Sequence, residues 1–170
     1  MSSAFTQMDD SKKLDLYIKK DRLRTAFHEA GMRLTRQRLA IYRELRSRFD
    51  HPDVDHIFQA VKPKIPQISL FTVYRTMNVL EDAGMVQRVA TWKGRARYDG
   101  VVDMHAHFLC EACGRLEDVE LKTDCDEMMA HARACVQSGE VHRVDIMMSG
   151  VCKDCLALRE AAAVNAPAET

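Results

Sequence analysis

SLFTVYRTMNVLEDAGMVQRVATWKGRARY, residues 69–98, is the stretch that decides the fold, because it predicts a helix followed by a basic β-hairpin. Ser69 can cap the helix and Ala83-Gly84 can end it. The inward face of this helix carries apolar residues at helical spacing, namely Leu70, Val73, Met77 and Leu80. Residues 85–98 then alternate in short segments around Lys93-Gly94, which suits a hairpin turn. The hairpin carries four basic residues, Arg88, Lys93, Arg95 and Arg97.

Three further helices are predicted before this stretch. The first runs from about Ser11 to Glu29 and stops at Gly31. The second follows Thr35 as its cap, and the third follows Asp53. His51-Pro52 separates these two, because a residue before proline is pushed away from helical geometry. Their apolar faces carry Leu39, Tyr42, Leu45 and Phe49 in the second helix, and Val54, Ile57, Phe58 and Val61 in the third.

A winged helix-turn-helix domain has this order of elements, with compact helices followed by a two-stranded flap. In that design the helix that starts at Ser69 enters the major groove of double-stranded DNA. Its outward face offers hydroxyl, guanidinium and amide groups that reach phosphates or base edges, from Ser69, Thr72, Tyr74, Arg75 and Asn78. Arg95 and Arg97 in the flap suit phosphates or a narrow minor groove. The alternative is that this basic surface is only a solvated face.

The charge distribution favours DNA binding over that alternative. The chain has 170 residues with 25 Lys+Arg and 25 Asp+Glu, so its formal net charge is zero. Residues 1–98 contain 19 Lys/Arg and 11 Asp/Glu, a net of +8, whereas residues 99–170 contain 6 and 14, a net of −8. The first half suits a polyanion and the second a cation. We expect an α+β protein, with a winged-helix domain and helical N-terminal extension over 1–98 and a small metal-binding domain over 99–170.

The composition and the N-terminal sequence also indicate the cellular compartment. Hydrophobic residues make up 46% of the chain, yet no apolar run approaches the roughly 18 residues needed to span a bilayer. The N-terminal MSSAFTQMDDSKK lacks the apolar core of a signal peptide. We therefore expect a cytoplasmic protein with no membrane partner. In the cytoplasm thiols are mostly reduced, so the six cysteines, all in the acidic half, indicate metal binding or redox chemistry before structural disulfides.

Four of the cysteines form two Cys-x-x-Cys pairs, Cys110/Cys113 and Cys152/Cys155. Two such knuckles can close a tetrahedral shell around a structural Zn²⁺. Between them the pattern predicts a strand-helix-strand unit, with its segments at residues 116–121, 125–137 and 141–148. The alternative is a pair of redox disulfides. Cys125 and Cys135, ten residues apart on the predicted helix, do not share a face, and we expect buried free thiols there.

A second group of metal ligands is predicted around His105-Ala106-His107. In a strand, residues two apart point to the same side, so the two imidazoles can bind one ion. Asp99, Asp118 and His51, on the loop between the second and third helices, can add ligands. Imidazoles with carboxylates suit Fe(II), Mn(II) or Zn(II). A surface pair of histidines is the alternative.

Taken together, these residues resemble the ferric uptake regulator family over roughly Leu23 to Cys155. The matching stretches are residues 30–38, 69–75 and 97–99, His105-Ala106-His107 and both Cys-x-x-Cys pairs. The resemblance implies a winged-helix DNA-binding domain, a hinge and a C-terminal α/β dimerisation domain, and therefore a homodimeric transcriptional repressor that binds a palindromic operator when metal is present. It implies a structural zinc held by Cys110, Cys113, Cys152 and Cys155. It implies a regulatory metal held by His51, Asp99, His105, His107 and Asp118, and DNA contacts by Tyr74, Arg75 and Arg33.

The choice of ligands bears on what such a repressor senses. Aspartates at 99 and 118 resemble the peroxide-sensing branch, in which a ligand histidine of an Fe(II) site is oxidised. Iron-uptake and zinc-uptake regulators are the alternatives. Met104 and Ala106 cannot be ligands, so the third site of many iron-uptake members is expected to be absent. The last predicted strand, within residues 141–150, is longer than the family norm, which leaves the role of His142 open. A zinc hydrolase is remote, since His-Glu-x-x-His and deaminase signatures do not occur, and we do not expect an enzyme.

Overall fold

The structure, a computed structural model, describes residues 21–164. The predicted first helix is described only over 21–29, named α1 here, and its earlier part lies outside the described residues. The remaining elements follow in the order α2 (Arg36–Arg46), α3 (Val54–Val61), α4 (Leu70–Asp82), β1 (Gln87–Trp92), β2 (Arg95–Asp99), β3 (Ala106–Cys110), β4 (Leu116–Val119), α5 (Cys125–Cys135), β5 (Ile146–Gly150) and α6 (Lys153–Val164).

The three predicted N-caps are confirmed. The side chain of Thr35 accepts from the Arg38 amide at 3.4 Å at the start of α2. Asp53 accepts from the His56 amide at 2.8 Å before α3. Ser69 does the same for the amide of Thr72, at 3.1 Å, before α4. Each cap satisfies an amide that has no partner within its helix, which stabilises a helix start by about 1 kcal/mol.

The buried apolar cluster of α1–α4 and the hairpin lies entirely within residues 23–98. Most of the predicted inward positions contribute to it. Two expectations are wrong. Phe49 is exposed, because α2 ends at Arg46 and the chain has already left the helix. Leu70 is exposed because the first turn of α4 protrudes, with residues 69–71 all in contact with solvent.

The predicted hairpin is confirmed. β1 and β2 pair antiparallel, with Trp92 opposite Arg95. Lys93 and Gly94 between them both have positive φ, +48° and +77°. This is the conformation of a two-residue turn whose twist matches that of the strands. The hairpin returns the chain toward the loop between α2 and α3, where the Tyr98 amide donates to the Pro52 carbonyl at 3.1 Å.

The second sheet has three strands in the order β4-β3-β5, with β3 antiparallel to β4 and parallel to β5. The strand-helix-strand order is as predicted, but the expected strand at 141–148 begins only at Ile146, and residues 141–145 form no strand. His142 therefore lies outside the sheet. Cys125 and Cys135 are free, as expected, but the expectation of burial is wrong, because Cys135 is exposed and Cys125 only half-buried.

In the part of the chain that the structure describes, no helix is both long enough and apolar enough to cross a membrane.

We expect Ile57→Ala to lower the free energy of unfolding by about 2–5 kcal/mol, since Ile57 is fully buried and its loss leaves a cavity between the helices. Gln59→Ala, at an exposed position of the same helix, is the control and should change it by less than about 0.5 kcal/mol. Chemical denaturation followed by circular dichroism measures both. Equal effects of the two substitutions would contradict the packing described here.

Candidate metal centres

The four cysteines of the two Cys-x-x-Cys pairs come together in one cluster. Each offers one sulfur, and the four sulfurs lie within 4.8 Å of one another. Cys110 is the last residue of β3, and Cys152 directly precedes α6. The first knuckle is closed by the Gly114 amide, which donates to the Cys110 carbonyl at 2.8 Å. The second is joined to it by the Glu111 amide, which donates to the Gly150 carbonyl at 2.7 Å.

Hydrogen bonds within this cluster give its thiols different pKa values. Donation from the Cys152 amide, at 3.3 Å, and from neighbouring amides lowers the pKa of Cys110 to about 6. Hydrogen bonding to Cys152 and the other sulfurs raises the pKa of Cys155 to about 12. A divalent ion that binds thiolates would therefore displace protons from the cluster. Four convergent sulfurs from two knuckles fit the predicted structural zinc.

The five predicted regulatory ligands also come together. His51 lies on the loop between α2 and α3, Asp99 ends β2, and Asp118 lies in β4. His105 directly precedes β3, and His107 lies within it, opposite Asp118 in the strand register. One ligand atom of each side chain lies within 4.8 Å of all the others. We call this group the His/Asp centre.

Distances within the His/Asp centre show that the imidazoles point to a common place. His51 Nε2 lies 2.8 Å from Asp118 Oδ1, and His105 Nε2 lies 3.0 Å from Asp99 Oδ2. His107 Nε2 lies 3.6 Å from an oxygen of each carboxylate. All three Nε2 atoms are buried and make no hydrogen bond to any described residue. Because buried polar atoms are normally paired, three orphaned nitrogens facing two carboxylates fit a metal ion.

Neighbouring groups orient the ligands for this role. His105 Nδ1 lies 2.7 Å from the Asp103 carbonyl, so a proton on Nδ1 leaves Nε2 with its lone pair. Asp99 accepts from the Val101 amide at 2.7 Å and from Gln87 Nε2 at 3.3 Å. Hydrogen bonds of this kind from neighbouring groups to a ligand side chain fix its orientation.

The protonation states favour metal binding as well. Burial lowers the pKa of the His51 imidazole, although Asp118 and Asp99 act in the opposite direction. Burial alone would raise the pKa of Asp99, but the nearby His107 imidazole and donation from the Val101 amide outweigh it, and the carboxyl pKa is lowered. Neutral imidazole and ionised carboxylate are the forms that coordinate metals.

The position of His51 depends on β2. His51 has a φ of +48°, in the left-handed region that residues other than glycine seldom adopt. Arg97 donates through Nε to the His51 carbonyl and through Nη2 to the Asp50 carbonyl, the latter at 2.6 Å. Sequence reasoning missed this contact, because the residues are far apart in the chain and a basic hairpin side chain gives no local signal for it.

The predicted DNA-contacting residues fall into two groups. The outward ones belong to α4 or to the loop before α2, and they comprise Ser69, Thr72, Tyr74, Arg75 and Arg33. The hairpin arginines are engaged within the chain. Arg95 pairs with Asp53 at 3.3 Å and Asp55 at 2.9 Å, although its side chain stays largely exposed. The guanidinium of Arg97 contacts backbone carbonyls.

Comparison with known proteins agrees with this architecture. The model of the ferric uptake regulator family matches residues 29–148. The peroxide-responsive repressor PerR of Staphylococcus epidermidis is 37% identical over 131 residues, which make up 76% of this chain and 85% of that protein. The chain belongs to the ferric uptake regulator family, as the resemblance implied.

Solved structures show the same α+β fold. A crystal structure of the Campylobacter jejuni peroxide stress regulator is 28% identical, covers 82% of this chain and 96% of its own, and has a TM-score of 0.59. The structure of the Helicobacter pylori ferric uptake regulator is 24% identical, covers 83% of this chain and 93% of its own, and has a TM-score of 0.69. The expected fold class is therefore confirmed.

We expect Cys113→Ser to remove the zinc bound by the cysteine cluster, because a hydroxyl replaces one of four thiolate ligands. Cys135→Ser, at an exposed thiol outside the cluster, should leave the zinc content unchanged. In the unmodified chain the affinity for zinc should fall as pH falls, by about tenfold per pH unit for each proton displaced. Metal analysis after dialysis at several pH values measures both effects, and an affinity that is independent of pH would contradict binding through thiolates.

Proposed function

We propose that this chain is a cytoplasmic, metal-dependent DNA-binding repressor that binds Fe(II) or Mn(II) at the His/Asp centre and senses hydrogen peroxide through the Fe(II) form. The observation that carries the proposal is the convergence of five ligand atoms contributed by distant parts of the chain. His51 comes from the helical half, Asp99 from the end of the hairpin, and the other ligands from the second sheet. An ion held by all five would fix the helical half against the sheet.

The donor set supports the choice of metal. Three imidazole nitrogens and two carboxylate oxygens suit borderline divalent ions, with Zn(II) as a further candidate in vitro. The cysteine cluster, in contrast, offers only sulfur and suits a permanent structural zinc. The relative from Staphylococcus epidermidis is a peroxide-responsive repressor, and the Campylobacter jejuni structure is a peroxide stress regulator. These relatives favour peroxide over the alternatives of iron-uptake or zinc-uptake regulation.

The proposed switch depends on oxidation of one of the three ligand histidines by peroxide. Fe(II) held by the five ligands would activate hydrogen peroxide without being consumed overall, because peroxide takes its two electrons from the group that it oxidises. The imidazoles of His51, His105 and His107 are the oxidisable groups nearest to the ion. In the proposed step the O–O bond of hydrogen peroxide breaks, one oxygen atom enters a C–H bond of an imidazole ring, and the other oxygen leaves as water. The oxidised histidine would then be a weaker ligand. Weaker ligation frees the His51 loop from β3 and β4, so that the population shifts away from the DNA-binding arrangement.

The DNA surface that we propose centres on the protruding first turn of α4. Ser69, Thr72, Tyr74 and Arg75 face outward there, and Arg33 adds a cation from the loop before α2. This geometry suits the insertion of α4 into a major groove. Arg95 keeps an exposed side chain for a phosphate, whereas Arg97 is committed to carbonyls within the chain, so we propose the DNA surface without it.

We further propose a division into a DNA-binding domain over 1–98 and a dimerisation domain over 99–170. Among the residues that the structure describes, none after Tyr98 belongs to the buried cluster of the helices and hairpin, which supports this boundary. β5 is an edge strand of its sheet, and apolar side chains on it and on α6 are exposed, namely Met147, Met148, Leu156 and Leu158. A second copy that covers this face would form the homodimer, and two α4 helices would then match a palindromic operator. The relatives are named as regulators, which gives the remote hydrolase alternative no support.

We expect binding to a palindromic duplex only when Mn(II) or Fe(II) is added to the zinc-loaded protein. His105→Ala should reduce the metal-dependent affinity for DNA by at least about tenfold, because one ligand is lost while the cysteines are untouched. His131→Ala, at an exposed histidine on α5, is the control and should behave like the unmodified chain. Gel-shift titrations at fixed salt measure both, and equally tight binding without metal would refute the switch.

A separate experiment distinguishes peroxide sensing from iron sensing. We expect the Fe(II)-loaded protein, treated with an equimolar amount of hydrogen peroxide, to gain the mass of one oxygen atom on a peptide that contains His51, His105 or His107. The Mn(II)-loaded protein is the control and should gain none. Peptide mass spectrometry locates the modification. Unmodified histidines together with retained DNA binding would favour the iron-uptake alternative.

A further inference from the structure

One guanidinium on β2 joins the two metal centres. Arg97 donates to the carbonyls of Asp50 and His51 on one side. On the other side its Nη1 donates to the carbonyl of Gly114, at 3.2 Å. Gly114 directly follows Cys113, so this carbonyl belongs to the first zinc knuckle. A guanidinium presents its donors in a rigid planar fork, which suits simultaneous contact with three carbonyls.

The contact with His51 holds an uncommon backbone conformation. A non-glycine residue at a φ of +48° persists only where its surroundings over-determine it. Arg97 binds the carbonyls on both sides of that residue's amide nitrogen, and the Tyr98 amide binds the next carbonyl, that of Pro52. The direction of the His51 imidazole toward the other four ligands therefore depends on β2.

The contact with Gly114 is reinforced by packing. Gly114 has a φ of +76°, and a Cβ built there would lie 2.2 Å from Trp92 Nε1. The indole at the end of β1 therefore lies directly against the glycine of the knuckle. The hairpin therefore contacts this knuckle at two points, through the ring of Trp92 and the guanidinium of Arg97.

We propose that Arg97 is a positioning residue of the His/Asp centre and that it couples this centre to the cysteine cluster. The inference rests on the proposed function, since it concerns metal binding by the five ligands. With zinc in place the knuckle presents the Gly114 carbonyl, Arg97 is held, and His51 is oriented for the regulatory ion. Loss of the zinc, or opening of the knuckle, releases Arg97 and weakens the His/Asp centre without touching any of its ligands.

Replacement of Arg97 tests the positioning role. In the zinc-loaded protein, Arg97→Ala should weaken Mn(II) binding at the His/Asp centre by about ten- to hundredfold, as loss of a group that orients a ligand does. Arg97→Lys keeps the charge but loses the planar fork of donors, so it should weaken Mn(II) binding nearly as much as Arg97→Ala does. Thr91→Ala, at an exposed position of the adjacent strand β1, is the control and should stay within about threefold of the unmodified chain. Electron paramagnetic resonance of free Mn(II) measures affinity, and the rate of zinc transfer to a chelator measures the cysteine cluster.

Gly114→Ala tests the coupling without altering Arg97. Its Cβ displaces Trp92, the single tryptophan, so the fluorescence emission should shift to longer wavelength and Mn(II) affinity should fall by about tenfold or more. Gly94→Ala is a matched control, because Gly94 has nearly the same φ, +77°, and a Cβ there meets nothing within 4 Å. It should change neither signal.

The outcomes separate this inference from the proposed function. If the unmodified chain binds no Mn(II) at the His/Asp centre, both fail. If it binds Mn(II) and the Arg97 and Gly114 variants bind equally well, the inference is overturned and the proposed function stands. If the Arg97 variants lose Mn(II) affinity but release zinc at the unmodified rate, the coupling is overturned. Weaker Mn(II) binding together with faster zinc release supports the whole inference. If the Arg97 variants fail to fold, Gly114→Ala is the test: lower Mn(II) affinity supports the inference, and unchanged affinity overturns it.

Discussion

The attachment of the His51-Pro52 loop to β2 is the contact on which the arrangement of the ligands depends. The guanidinium of Arg97 and the amide of Tyr98 bind three consecutive carbonyls of that loop, from Asp50 to Pro52. The same strand ends at Asp99, so one short segment both positions one ligand and supplies another. Without this attachment, a histidine from the helical half would have no defined direction toward the sheet that carries the other ligands.

The His/Asp centre places several polar side chains where water is scarce. Burying an imidazole or a carboxylate without a hydrogen bond is unfavourable, and three Nε2 atoms in this centre face carboxylates but make no hydrogen bond to the described residues. An ion that accepts these lone pairs and balances the carboxylates would relieve that cost. Binding of the ion would therefore stabilise the arrangement in which the five ligands converge, and anything that stabilises that arrangement would raise the affinity for the ion.

The sequence was sufficient for features set by local spacing. Cap residues, the Lys93-Gly94 turn and the two Cys-x-x-Cys pairs act over a few residues, and the structure places them as predicted. The imidazoles of His105 and His107 converge as predicted, although His105 directly precedes the strand and does not lie within it. Features that depend on distant packing could not be read in this way. Phe49 and Leu70 fit a helical period but lie where a helix has ended or protrudes, and the start of β5 depends on its pairing with β3. The orientation of Arg97 depends on carbonyls more than 40 residues away in the chain on one side and 17 on the other.

The protruding first turn of α4 has a consequence for how such proteins diversify. Its exposed positions, 69–71, contribute neither a metal ligand nor a contact that holds the His51 loop. If this turn contacts DNA as proposed, substitutions there would alter which duplex is preferred and leave the proposed metal ligands unchanged. The preference for a DNA sequence and the set of metal ligands could then change through separate substitutions, because the two surfaces share no residue.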